Sequence, residues 1–241
     1  MLILAIESSG PTAGVALLDG DSPAAGWAAS AEEGRRARSL VKDVNSALRS
    51  IKRRPQDVDV VAVSIGPGSF TGLRVGVVFA KTWCYATGAK LVAVDTLLAA
   101  AANSPPDVSQ AFAVADAQRG DLFVGEYRRD PGRMRRGGSI QGRDDQGAFT
   151  RIGEIEIVAA ADFAAARSAD DFVTGPGLER YEVLFSHRCR LADKSQRQPT
   201  AAGVAALGRR LAASGEFTDF WTVEPRYIRK SAAEEKAEGG T

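Results

Sequence analysis

A covered strand and the apolar segment behind it constrain the fold of this chain more than any other feature. Val58–Ile65 is a nearly continuous run rich in β-branched residues, a pattern typical of a strand that is covered on both faces. A Gly-Pro-Gly turn follows at Gly66, and a long apolar segment then runs from Gly72 to Gly88 with only Arg74 and Lys81 as charged residues. Ser69 or Thr71 can cap the helix that this segment predicts. A buried strand that leads through a tight turn into an apolar helix indicates a layered α/β protein.

The flanking elements continue this pattern. Two short β-prone runs at residues 2–6 and 14–18 are joined by turn-forming residues and predict a hairpin, and a third strand is predicted at Gly26–Ser30. Ala37–Lys52 carries its apolar residues on one helical stripe. Leu91–Val94 predicts another covered strand, and it leads into a short helix at Asp95–Asn103 that is capped by Asp95 or Thr96. Three strands, helix, strand, helix, strand and helix is the order of the ribonuclease H-like half of the actin-like ATPases.

Paired prolines at Ser104–Asp107 mark the best candidate boundary, because they cannot continue a helix. We therefore predict a first lobe at residues 1–105, a reduced second lobe at residues 106–230 whose C-terminal segment returns to the first, and a disordered tail at residues 231–241 that lacks apolar anchors. The strands predicted in the second lobe are Ala111–Ala115, Leu122–Tyr127 and Ile152–Val158, and the helices are Ala160–Ser168, Gly177–Phe185 and Thr200–Ala213.

The composition excludes several classes of protein. Thirty-one basic and 30 acidic residues give a formal net charge of +1, so no global field steers the chain toward nucleic acid or an anionic membrane. No apolar run approaches the length of a membrane span. His187 is the single histidine, which excludes any metal site with two imidazole ligands, and we expect it to be exposed and structural. Cys84 and Cys189 lie far apart and favour a reducing cytoplasm, with Cys84 buried.

Four short motifs spread over nearly the whole chain resemble the TsaB (YeaZ) family. They are GPGSFTGLRVG at residues 66–76, ESS at 7–9, DAQRG at 116–120 and EPRYIR at 224–229. The resemblance implies an actin-like fold with a reduced second lobe and a degenerate nucleotide cleft. It also implies that the chain is no enzyme and binds no cofactor alone. Its role is instead to dock the catalytic paralogue TsaD, which carries the metal and the active site.

The resemblance further implies the setting in which the chain works. The TsaD heterodimer acts with the ATPase TsaE, uses ATP and threonylcarbamoyl-adenylate, and transfers a threonylcarbamoyl group to N6 of the adenosine next to the anticodon of tRNA. Contact with tRNA is then made only through the complex. Family members pair through their first two helices, with TsaD or, when alone, with a second copy. Arg36 and Ala37 stand where the family usually has a histidine and a small hydroxyl residue.

The residues themselves support a packing face on the helix after the Gly-Pro-Gly turn. Gly72, Gly76 and Ala80 recur at a spacing of four, so a neighbouring backbone could approach closely there. Interior glycine costs about 1 kcal/mol of helix propensity relative to alanine, so such a face should be covered. A packed internal helix and a docking surface both satisfy this pattern, and under the second interpretation a bulky residue at Gly76 would weaken docking while the fold stays intact. The predicted interface consists of Gly68, Ser69, Phe70, Thr71, Gly72, Leu73, Arg74, Gly76, Val77, Ala80, Arg36 and Leu40.

Rival interpretations concern nucleotides and RNA. Gly66, Gly68 and Gly72 imitate a dinucleotide fingerprint, although no Walker lysine follows them. Glu7 and Asp116 could form the acidic pair of a small sugar or acetate kinase of the same fold, although both also lie where turns need hydrogen-bonding side chains. Proteolysis has no candidate triad or metal site. Local contact with RNA phosphate would come from Arg128, Arg129, Arg133, Arg135, Arg136 and Arg143.

Overall fold

The computed structural model describes residues 1–11, 13–20, 25–28, 36–130 and 148–229. Within these ranges the strands form two five-stranded sheets, one in each half of the chain. We call the first sheet with its helices the first lobe and the second sheet with its helices the second lobe. None of the helices in the described ranges combines the length and the apolarity needed to cross a membrane.

The first sheet has the strand order β3-β2-β1-β4-β5, in which β1 pairs antiparallel with β2 and parallel with β4. Two helices, α1 and α2, pack on one face, and α6 packs on the other, while α3 contacts α6 and the strands β6, β7 and β8 of the second sheet. This arrangement confirms the predicted order of elements. The bounds are β1 Leu2–Glu7, β2 Gly14–Asp19, β3 Ala25–Ala28, α1 Arg36–Ser50, β4 Val60–Ser64, α2 Phe70–Thr87, β5 Lys90–Val94, α3 Thr96–Ala101 and α6 Ala201–Ala213.

The second sheet has the order β10-β9-β6-β7-β8, with β6, β7 and β8 antiparallel and β9 parallel to β6. The strands β9 and β10, at one side of this sheet, are too short for a periodic sequence signal, and they were not predicted. The helices of this lobe are also short. The bounds are β6 Gln110–Gln118, β7 Asp121–Asp130, β8 Ala148–Ala159, α4 Ala160–Ala165, β9 Phe172–Thr174, α5 Leu178–Phe185 and β10 Arg190–Leu191.

One hydrophobic core joins the two lobes. It contains Ile3 and Ala62 of the first sheet, Ala113 and Tyr127 of the second, and Val204 of α6. Helix α6 follows the second sheet in sequence, yet it packs on β1, β2, β4 and β5 of the first. The lobes therefore share buried apolar surface, which opposes their independent movement.

Two sequence predictions fall on parts of the chain outside the described residues. The predicted tail at residues 231–241 is one. The predicted arginine-rich loop is the other, except that Arg128 and Arg129 belong to β7. Arg129 is structural: its guanidinium donates to the carbonyl oxygens of Ser104, Pro105 and Val108 and lies over the Phe149 ring.

Candidate functional site

The four sequence motifs form a chain of contacts in the structure, although they are far apart in sequence. The turn after β1 meets the turn after β4, because the backbone N–H of Ser69 donates to the carbonyl of Ser9 at 2.7 Å. The turn after β4 meets the C-terminal motif, because the N–H of Arg226 donates to the carbonyl of Ile65 at 2.7 Å. The C-terminal motif in turn reaches the β6–β7 hairpin through Arg229.

Helix α2 begins at the Gly-Pro-Gly turn and packs its glycines against its own chain. Ser69 is the N-cap, and its hydroxyl accepts a hydrogen bond from the N–H of Gly72, as one of the two predicted caps. A Cβ at Gly72 would lie 1.9 Å from the Ser8 carbonyl oxygen, and a Cβ at Gly76 would lie 2.2 Å from Ser8 Oγ. The glycines therefore admit the Ser8–Ser9 turn of β1, not the helix of another protein.

Half of the predicted interface is buried in this structure. The buried members contact their own chain, and their part in binding a partner stays a prediction. A bulky residue at Gly76 would collide with Ser8, so we expect it to disturb the fold as well as any docking. The buried members are Leu40, Gly72, Leu73, Gly76, Val77 and Ala80. Gly68, Thr71 and Arg74 are exposed, Ser69 and Phe70 are half-buried, and the side chain of Arg36 lies outside the described residues.

Exposed apolar side chains lie on other faces of the same two helices. Val78 of α2 is 61% exposed and Val41 of α1 is 50% exposed. Tyr85, near the end of α2, is 70% exposed and meets the 65% exposed Trp221 edge to face with ring centroids 5.5 Å apart. Val78 and Tyr85 are seven residues apart on α2 and so share one face of the helix, and α1 packs beside α2. Exposed apolar groups that lie together are typical of protein-binding surfaces. We call Val41, Val78, Tyr85 and Trp221 the apolar surface.

Arg74 lies near the start of α2, and its side chain is held by neighbouring groups. Its guanidinium lies 4.0 Å from the Phe70 ring centroid, and its Nε donates to the Tyr227 hydroxyl at 2.8 Å. Phe70 and Tyr227 stack with centroids 4.8 Å apart. A preorganised, exposed arginine suits recognition of a carboxylate on a partner.

Glu7 is a buried carboxyl at the end of β1. Its Oε1 accepts hydrogen bonds from the Ser9 N–H at 2.6 Å and the Ser9 hydroxyl at 2.5 Å, whereas Oε2 has no partner among the described residues. Burial raises the pKa of the Glu7 carboxyl, and this effect outweighs the hydrogen bonds from Ser9, which lower it. The carboxyl thus shapes the turn that fills the glycine face of α2.

Asp116, the other predicted acid, also forms a turn. Its carboxylate accepts from the Gln118 N–H at 2.8 Å, and Arg180 binds it at 2.9 Å. Gln118, Arg119 and Gly120 have positive φ, which the tight hairpin requires. Neither Glu7 nor Asp116 belongs to a cluster that could hold a metal ion, as none occurs in the described part of the chain.

Sequence reasoning recognised Asp95 only as a helix cap and missed its larger role. Asp95 accepts from the N–H groups of Leu97 and Leu98. Its carboxylate also accepts from the Tyr127 hydroxyl at 3.1 Å and binds Arg151 and Arg226 at 3.2 and 3.1 Å. These partners come from β7, β8 and the C-terminal motif, and no local pattern links such distant positions.

Comparisons with known proteins agree with the motifs. A family model described as TsaD: tRNA N6-adenosine threonylcarbamoyltransferase matches residues 34–139. The tRNA threonylcarbamoyladenosine biosynthesis protein TsaB of Bacillus subtilis is 28% identical over 236 residues, which cover 98% of this chain and 97% of that protein. The TsaB protein of Escherichia coli is 26% identical over 243 residues, which cover 99% of both.

A solved structure gives the same result for the fold. The structure of YeaZ from Pseudomonas aeruginosa superposes with a TM-score of 0.77 at 24% identity, covering 94% of this chain and 99% of that chain. The predicted actin-like α/β fold with a reduced second lobe is confirmed.

Proposed function

We propose that this chain, which belongs to the TsaB (YeaZ) family, is a non-catalytic subunit that docks a TsaD-like paralogue. Family membership supports a role in the biosynthesis of threonylcarbamoyladenosine in tRNA. The main support for the subunit role is the share of each chain that the alignments cover. The TsaB relatives align with this chain from end to end, whereas the match to the transferase model stops at residue 139.

The docking surface in this proposal is the apolar surface together with Arg74. Val41 and Val78 project from α1 and α2 while the opposite faces of both helices pack on the first sheet. The transferase model matches residues 34–139, which include both helices, so a TsaD-like partner carries the same two elements. Two similar helix pairs can pack in a pseudo-symmetric way, and the same surface could pair two copies of this chain.

The remaining chemistry in this proposal belongs to the assembly. The chain binds no cofactor alone, and the metal, ATP and threonylcarbamoyl-adenylate are handled by the TsaD-like partner and a TsaE-like ATPase. Contact with tRNA is made through the complex, in the cytoplasm. Support for the chain's own lack of catalysis comes from Glu7 and Asp116, whose carboxylates are engaged in their own turns.

Val78→Asp tests the docking surface. Burial of a valine side chain contributes about 1.5 to 3 kcal/mol, so a charge in its place should weaken binding of the TsaD-like partner about tenfold or more. Val183→Asp is the matched control, because Val183 is 84% exposed on α5 of the second lobe. Calorimetry with the host's TsaD-like protein measures both affinities. Equal affinity of the Val78→Asp variant and the unmodified chain would refute this surface.

Reconstituted threonylcarbamoylation of tRNA tests the role itself. Omitting this chain should abolish product formation, and the Val78→Asp variant should restore it only at raised concentration. The chain alone should show no ATP turnover. Steady ATP hydrolysis by the isolated chain that is lost in Glu7→Gln would instead support the actin-like kinase interpretation.

A further inference from the structure

The C-terminal motif Glu224–Arg229, which we call the strap, contacts both lobes within a few residues. At its first-lobe end the backbone N–H of Arg226 donates to the Ile65 carbonyl at 2.7 Å. The Arg226 carbonyl oxygen also lies 3.2 Å from the position of a Cβ on Gly66, whose positive φ of 114° favours glycine. The strap therefore lies directly on the turn that starts α2.

At its second-lobe end the strap grips the β6–β7 hairpin. Arg229 donates to the carbonyl oxygens of Ala117 and Gln118 at 2.6 and 3.3 Å and forms an ion pair with Asp121. The side chain of Arg229 is only 23% exposed. Because three acceptors bind one guanidinium, its position is more restricted than that of a side chain in a single surface ion pair.

Asp95 completes the connection between the lobes. Arg226 of the strap and Arg151 of β8 bind the same carboxylate oxygen, and Tyr127 of β7 donates to the other. This carboxylate is 12% exposed and belongs to the residue directly after β5 of the first lobe, where it caps α3. Groups from the second sheet and from the strap thus converge on one first-lobe residue.

We propose that the strap is a clasp that holds the two lobes at one fixed angle, so that the chain works as a rigid body. The shared hydrophobic core holds the lobes together, but apolar burial is non-directional and does not by itself set their angle, so hinge movement would remain open to the two lobes without the strap. Tyr227 lies between the two strap arginines and positions Arg74 on α2. The clasp thereby also sets the orientation of the second lobe relative to α2. This inference concerns the chain itself and does not depend on the identity of a partner.

The distance between the lobes tests the clasp. Spin labels at Asn45→Cys of α1 and Val183→Cys of α5, both exposed positions, report the distance by double electron-electron resonance. A Cys189→Ser background leaves only Cys84, which is buried, besides the labelled cysteines. Arg229→Ala removes the second-lobe end of the clasp and leaves the Asp95 cluster intact. We expect a broader distance distribution with a mean displaced by about 2 Å or more.

Arg180→Ala is the matched control. Arg180 also binds the β6–β7 hairpin, at Asp116, but from α5 within the second lobe. Its removal should leave the distance distribution unchanged. An unchanged distribution in Arg229→Ala, or equal broadening in both variants, overturns the clasp. If Arg229→Ala fails to fold, Arg229→Lys replaces it, because lysine keeps one donor group for the same acceptors. This variant should show a smaller displacement of the mean distance in the same direction. An unchanged mean distance would overturn the proposal.

Discussion

Gly72→Ala tests how α2 is seated on the first lobe. The new Cβ would lie 1.9 Å from the Ser8 carbonyl oxygen, well inside the distance of about 3.5 Å at which nonbonded atoms pack. The Ser8–Ser9 turn cannot easily retreat, because Ser69 holds the Ser9 carbonyl and Glu7 holds the Ser9 N–H and hydroxyl. The collision must therefore be absorbed by displacement of the turn or of α2 itself.

Overpacking of this kind costs typically about 1 to 3 kcal/mol, and a backbone collision lies at the upper end. Alanine has a higher helix propensity than glycine, which stabilises the folded state by about 1 kcal/mol and offsets part of this cost. The net loss should be about 2 kcal/mol, which lowers the Tm of a chain of this length by about 4 to 8 °C.

Differential scanning calorimetry measures the change, with Gly203→Ala of α6 as the control. A Cβ at Gly203 meets the Thr200 hydroxyl at 3.2 Å and no backbone atom nearer than 3.9 Å, so the gain in helix propensity should leave this variant as stable as the unmodified chain or up to about 1 kcal/mol more stable. A Tm of Gly72→Ala equal to or above that of the unmodified chain would show that Ser8 does not occupy the glycine face.

Three further predictions concern buried polar groups. Burial raises the pKa of Glu7 above 4.5, so the contribution of Glu7 to stability is fully present below pH 4.5 and is lost as the pH rises through the raised value. Glu7→Gln should remove this pH dependence from urea unfolding curves recorded across that range. Identical pH profiles of the variant and the unmodified chain would contradict the prediction. Asp95→Asn should lower the free energy of unfolding by about 2 kcal/mol, because the guanidinium of Arg226 loses its charged acceptor; an unchanged urea midpoint would contradict this. Burial raises the pKa of the Cys84 thiol to about 11, so Ellman's reagent should modify it only after unfolding, and rapid reaction in the native state would argue against its burial.

The sequence predicted those elements whose signals are local. The β-branched run, the Gly-Pro-Gly turn and the apolar segment predicted β4 and α2, and Ser69 and Asp95 were recognised as possible caps. The spacing of Gly72 and Gly76 predicted a close approach correctly. It could not identify what approaches, because Ser8 is distant in sequence and glycine spacing is the same for internal and external contacts.

The missed features are long-range. Arg226 binds Asp95, and Arg229 binds Ala117, in each case across more than a hundred residues of sequence. The contact of Asp95 with Tyr127 is nearer in sequence, but it joins the two lobes. Trp221 has no periodic context, and its exposure beside Tyr85 follows only from the folded backbone. Contacts of this kind depend on the tertiary arrangement, which pattern and propensity do not determine.

The position of α6 in the chain has a consequence for biosynthesis. The first sheet is complete once Val94 has been made, yet one of its faces is covered by a helix that starts at Ala201. At ribosomal speeds of about 5 to 20 residues per second, that face waits on the order of ten seconds for its cover. A nascent chain arrested in this interval would display Ile3 and Ala62, and so should be a substrate for chaperones that bind apolar strands.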